Sequence, residues 1–455
     1  MKMRSAMTAF RASLESADEN LATEVVLAGG EDSMENGLLE VQEAAQEVAD
    51  NESAVDELTE VAEGLEEIAD AVETAAEDGG LNPQAAEMLA LGVESYTRRL
   101  GIESRVIPSL ESFGGASNRQ QATRVSLEGL RETIENVWNA IKAQIQKLIT
   151  WVRDYYQRVW AAAPKIRKRA EDLLAKVDGL DGKTAKDKTV EAGGIVKALH
   201  LGGKFPADLG AEVKRVSASV KTALAGSNAE YTANAELIAN GVEGVSADNS
   251  EKLIEGLKKF LGDTTLLADT SSIGATNGPD AGDDRFGNDV DVKRSAELPG
   301  GVAIFASSRK AAQLNEKALG ADHVSSISIK VMPFSKKAPD VKAEMPVLDI
   351  ATMRAVCNGV VELTTEIENF KRDFEKADKA KAKIVKAGDK FSDSIKRSKE
   401  LSADAKTAAN ATMKMLQALP RLTTAASDCA VSVGLGTSKA ALAAVEKSLG
   451  NYSSK

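Results

Sequence analysis

Between residues 126 and 162, apolar side chains return at helical spacing without a break. They are Leu127, Leu130, Ile134, Val137, Trp138, Ile141, Ile145, Leu148, Ile149, Val152, Tyr155, Tyr156, Val159 and Trp160. A stripe of that length fits a long helix and nothing else on the menu of regular structure. An amphipathic helix must cover its stripe with another element. The chain is therefore expected to be mainly α, built from long amphipathic helices and helical bundles. The 10 prolines in 455 residues leave room for such helices. Aromatic residues are only 4% of the chain, so most cores should be small and aliphatic.

Charge divides the chain sharply. Residues 1–111 hold 26 Asp and Glu against 6 Lys and Arg, a net of −20. The rest carries the balance of the −12 total, a net of +8. An acidic leader is joined to a mildly basic body, an asymmetry that suggests the leader has its own task. Within it, residues 33–78 read as a long acidic helix with one interruption near Asn51. Leu58, Val61, Leu65, Ile68 and Val72 form a stripe spaced 3, 4, 3 and 4 residues apart. Glu57, Glu60, Glu63, Glu66, Glu67 and Glu73 crowd the other faces without Lys partners and repel one another. This helix should be weak alone and should want a partner helix. Gly79, Gly80 and Pro83 end it, and a helix over roughly 84–100 follows.

Residues 101–125 read as a linker, on Pro108, Gly114, Gly115 and their Ser, Asn and Gln content. The 126–162 helix should stop at Pro164 and resume as a basic helix from Lys165. Residues 178–205 read as loop, and helices are expected at 206–225, 229–243 and 250–268. Residues 269–301 read as a polar loop. Strand-like runs at 302–307 and 324–334 bracket a short helix near 309–319, giving a small α+β insert near 300–335. The chain should be helical again from about 347, ending in Ala-rich helices at 402–418 and 438–449. The expected domains are 1–111, 112–268, 269–345 and 346–455.

Little in the sequence suggests catalysis. Cys357 and Cys429 lie far apart without a CxxC partner, so neither a zinc site nor a disulfide framework follows. His200 and His323 are the two histidines, and neither sits in a nucleophile or metal motif. The run LGGKF at 201–205 lacks the upstream Gly and the Ser or Thr of a phosphate loop. The Asp-rich stretch 280–291 lacks the ligand spacing of a calcium loop. No apolar run spans a membrane, and Arg11 breaks the N-terminal apolar stretch, so no signal peptide is expected. No cofactor, metal or small-molecule substrate is expected.

The aromatic and basic segment 126–169 admits three readings. Its stripe can be buried core. It can be a membrane-surface helix, since Trp, Tyr, Lys and Arg suit an interface. Or Arg153, Arg158, Lys165, Arg167, Lys168 and Arg169 can contact DNA phosphates, and the second and third readings can each coexist with the first.

Residues 109–174 carry a resemblance: SLESFGGASNRQQATRVSLEGLRETIENVWNAIKAQIQKLITWVRDYYQRVWAAAPKIRKRAEDLL. The run resembles the start of the mature region in internal head and inner-body proteins of giant phiKZ-like tailed bacteriophages. The resemblance implies an acidic propeptide cut by a phage prohead protease after Glu in Ser-x-Glu or Ala-x-Glu motifs. The candidate sites taken from it here are Ser13-Leu14-Glu15, Ser109-Leu110-Glu111 and Ser126-Leu127-Glu128. The second coincides with the change of charge sign.

The expected function is a non-enzymatic internal head protein, matured by removal of its leader and packaged with the genome. Ejection with the DNA is a further implication. Its partners would be the prohead protease, other head and core proteins, and packaged DNA held weakly and without sequence reading. It would lie in the capsid interior, and in the host cytoplasm during assembly. The alternatives are a membrane-active or translocated protein using 126–169, and an unprocessed scaffolding core protein.

Overall fold

The computed structural model describes residues 32–99, 108–225, 278, 283–310, 326–397 and 403–452. They are mostly helical, with a small sheet-containing region. The helices are α1 (Asp32–Glu77), α2 (Pro83–Arg99), α3 (Ala116–Asp178), α4 (Gly193–Leu199), α5 (209–225), α6 (Ile350–Asn369), α7 (Lys371–Arg397) and α8 (Ala403–Leu449). The strands are β1 (Thr189–Glu191), β2 (Val290–Arg294), β3 (Val302–Arg309), β4 (Ser328–Pro333) and β5 (Glu344–Pro346). The chain divides into two compact units, Gln46–Val152 and the remainder, and the divisions fall inside α1 and α3.

The first unit is Gln46–Val152. Here α1 and α3 run antiparallel, as two polar contacts fix. Trp138 Nε1 donates to Glu66 Oε1 at 3.1 Å, and Arg131 pairs with Glu73 at 3.1 Å. The stripe read from the leader lies in the seam: Val61 and Leu65 are 0% exposed and Val72 1%. From α3 come Leu130, Val137 and Ile141, all fully buried. α2 meets α1 where Gly64 admits the Tyr96 ring. The expected break near Asn51 is not found, because α1 is one helix of 46 residues. Asn51 turns its amide onto the Glu47 carbonyl at 2.6 Å and leaves the helix intact.

The second unit is built mainly from Arg153 onward. The C-terminal part of α3 lies in a bundle with α6, α7 and α8. Tyr156 is 0% exposed. It packs against Trp160, Phe370 and Phe374, its ring centroid 4.4 Å from that of Phe374. Trp160 Nε1 donates to the Ile367 carbonyl at 3.2 Å. α6 starts where Asp349 caps the Thr352 amide. β2, β3 and β4 form an antiparallel sheet in that order, and β1 pairs antiparallel with β5. Ala303, Ile304, Phe305 and Ala306 of β3 are buried, and β4 lies against α8.

Several expectations change. Pro164 does not interrupt α3, which runs for 63 residues. Pro164 is exposed, and Ala162, Ala163 and Ile166 beside it are buried, so packing on both sides outweighs the lost hydrogen bond. The linker 101–125 is not all loop: a 3-10 turn spans Leu110–Phe113 and α3 begins at Ala116. The two Ala-rich C-terminal helices are one, α8. Leu422, Ala425, Ala426, Val431 and Leu435 are buried across the stretch where propensity is poorest. The strands expected at 302–307 and 324–334 appear as β3 and β4. The loops 178–205 and 269–301 contain β1, α4 and β2, which are too short to announce themselves. The short helix at 309–319, the helices 229–243 and 250–268, His323 and the Ser13-Leu14-Glu15 motif lie outside the described residues.

Candidate functional site

The motif Ser109-Leu110-Glu111 sits at the edge of the first unit. Ser109 and Glu111 are exposed, and Leu110 is 43% exposed. Backbone hydrogen bonds help to hold the turn, among them Ser112 N to Ser109 O at 2.9 Å and Gly114 N to Glu111 O at 3.1 Å, and the Ser109 and Ser112 hydroxyls lie 3.3 Å apart. Just beyond, Phe113 is fully buried against Ala86 and Ala122. Arg119 Nε donates to the Phe113 carbonyl at 2.9 Å. The motif is thus an exposed turn pinned on one side by a single aromatic anchor.

The motif Ser126-Leu127-Glu128 is placed differently. It lies inside α3, with Ser126 0% and Leu127 8% exposed. The Ser126 hydroxyl donates to the Ala122 carbonyl at 3.0 Å. A protease needs an extended segment. Opening 110–113 undoes one short turn, whereas opening 126–128 breaks a long helix and its buried face.

The turn between α1 and α2 fixes where α3 starts. Gly80 has φ +93°, and a Cβ there would lie 2.7 Å from the Arg119 carbonyl carbon. Leu81 N donates to Thr123 Oγ1 at 2.8 Å, and Gln120 Nε2 to the Ala76 carbonyl at 3.2 Å. Gly80→Ala is therefore expected to destabilise the chain by roughly 1–3 kcal/mol, read as a lower midpoint in thermal unfolding. An unchanged midpoint would show that this close approach carries no stability.

The basic residues of 153–169 are largely engaged within the bundle. Arg153 pairs with Asp378 at 2.8 Å, Arg167 with Glu368 at 2.7 Å, and Arg169 with Glu446 at 2.6 Å. Arg158 and Lys165 also have partners. Lys168 is exposed. Tyr155 and Tyr156 of this segment are buried in the core, and Trp138, Trp151 and Trp160 are half-buried. Among the described residues, no helix is long and apolar enough to cross a membrane.

The other polar motifs are also accounted for locally. Gly202 N donates to Glu297 Oε1 at 2.7 Å, and Gly203 N to His200 Nδ1 at 3.3 Å, so these amides of LGGKF are not turned to a phosphate. His200 is buried, and burial lowers its pKa against the opposing pull of Glu297. Burial pushes the Cys357 thiol up to about 11, far from a nucleophile's range. In the Asp-rich stretch, Asp283 is clamped by Arg285 at 2.6 Å, which holds its carboxyl below the usual range.

A family model for phiKZ-like phage internal head proteins matches residues 35–447. The chain belongs to this family. Membership makes it a structural protein of the virion head interior, associated with other head components. Comparison with curated proteins and with solved structures returns no match. The match begins within α1, so this internal head protein shares with its family most of the acidic leader as well as the body.

Proposed function

We propose that this internal head protein is a non-enzymatic packing component made as a precursor. Its leader, 1–111, is removed by a prohead protease after Glu111, and the body is packaged with the genome. The observation that carries this reading is the short exposed turn at Ser109-Leu110-Glu111, set where the charge changes sign. Before cleavage the leader's −20 repels nucleic acid; afterwards a body of net +8 can sit among DNA.

Mass spectrometry of mature virions tests it. A non-tryptic N-terminus at Ser112, with leader peptides absent, is the expected result. Glu111→Gln should leave the leader attached or shift the cut to Glu128. Full-length protein in mature particles would overturn the processing step.

A second reading, an unprocessed scaffolding core protein, draws on the buried seam between α1 and α3. There the leader is part of a packed unit. It predicts loss of the whole chain from mature heads. A membrane-surface use of 126–169 would have to rest on the residues the bundle leaves exposed, because Tyr155 and Tyr156 are buried.

A further inference from the structure

We propose that α7 is a docking surface for the phosphate backbone of duplex DNA. Arg372, Lys376, Lys379, Lys383, Lys386 and Lys390 are spaced 4, 3, 4, 3 and 4 residues apart. That spacing aligns them on one stripe, and all six are exposed. At about 100° per residue they fall within an arc of roughly 80°, and every residue of 372–390 within that arc is Lys or Arg. Asp373 and the exposed Glu375 and Asp393 stand beside the stripe; Asp373 lies 3.0 Å from Lys376 and 3.8 Å from Arg372, and Lys383 and Lys390 have partners of their own. Exposed pairs of this kind exchange partners at little cost. Asp378, on the flank, is directed to Arg153.

The buried side of the helix fixes the stripe in place. Phe374, Ala377, Ala380, Ile384, Ala387 and Phe391 are all buried, and α7 packs against α6 and α8. The cations are therefore presented along roughly 27 Å of supported backbone. A duplex offers one negative charge per about 1.7 Å of axis, so several can meet phosphates at once. A lipid surface fits less well. An interfacial helix inserts its apolar face, and here that face is committed to the bundle. Five of the six cations are lysines, which act as point charges and read no sequence. The proposal relies on the head-interior reading only for where DNA would be met.

The test uses the full chain and a short labelled duplex, with binding followed by fluorescence anisotropy. If all six cations engage, affinity should fall about 10³-fold between about 50 and 200 mM salt, equally for unrelated sequences. The combined Lys376→Glu, Lys379→Glu, Lys383→Glu and Lys386→Glu variant should flatten that salt slope by about 4 and bind at least about tenfold more weakly at low salt. On the unaltered chain, DNA should protect Lys379 and Lys386 from acetylation, a readout that does not depend on the variant folding. Two results would overturn the proposal: an unchanged slope in the variant, or protection by anionic phospholipid vesicles and not by DNA. Neither of these depends on whether the leader is cut in virions.

Discussion

Leu65→Ala is expected to cost about 2–5 kcal/mol and to loosen the Gln46–Val152 unit. Leu65 is 0% exposed at the middle of the α1 stripe, between Val61 and Val72. Its methyl groups fill a seam whose other wall is Leu130, Val137 and Ile141, so truncation leaves a cavity that two long helices cannot easily close. Glu67, two residues away and exposed, is the control, and Glu67→Ala should stay within about 0.5 kcal/mol. Urea unfolding followed by circular dichroism separates them. Limited proteolysis gives a second readout, because a loosened α1 should be cut early along its many glutamates. If both variants unfold at the same denaturant concentration, the seam is not what holds the leader.

That result bears on maturation. The leader is more than a charged tail, because its helix supplies the cover that the stripe on α3 requires. Cutting the turn at 110–113 would break the chain without breaking the seam. Release of the leader would then need a further step, such as more cuts along α1 or exchange of α1 for another helix. The change of charge at Glu111 is a boundary of composition that the packing does not follow.

Much of this was legible in the residues. The spacing of Leu58, Val61, Leu65 and Val72 foretells the buried face of α1, and the lack of any Lys or Arg among its glutamates foretells the need for α3. What the pattern could not give is which partner each charge would meet. Arg153, Arg167 and Arg169 look like a free basic patch in one dimension. Their carboxylates, Asp378, Glu368 and Glu446, lie some two hundred residues away or more and arrive only through the bundle. The stripe on α7 was readable by the same helical spacing, yet alternating acids disguise it when the chain is read residue by residue. Pro164 and the 419–437 stretch of α8 show the other limit. Local signals for a break are real, but packing of both flanks decides. β1, β2 and β5 are three to five residues long and hold no periodic signal to read.

The second large effect concerns a buried carboxyl. Asp428 is half-buried as a residue, but its carboxyl is enclosed, and Oδ1 finds no hydrogen-bond partner among the described residues. Burial pushes its pKa up to about 6, while Lys381, Tyr156 and Thr424 pull it back down. In the unfolded chain an Asp titrates near about 3.9. The native state therefore holds this proton more tightly. Between about pH 4 and pH 6 it binds more protons than the unfolded chain, and its stability falls as pH rises through that window, then levels off. Holding one proton about a hundredfold more tightly corresponds to roughly 3 kcal/mol. Paired carboxylates such as Asp283, held low by Arg285, act with the opposite sign, so the comparison must be a difference. Asp428→Asn removes the titration and keeps the shape. Its melting temperature, minus that of the parent, should climb by several degrees from about pH 4 to about pH 6.5. Lys381, 1% exposed and bonded to Thr424 at 3.1 Å, pulls the Asp428 pKa down and so narrows the window without reversing its sign. A difference that stays flat across the window would mean that the carboxyl is solvated and titrates as it does in the unfolded chain.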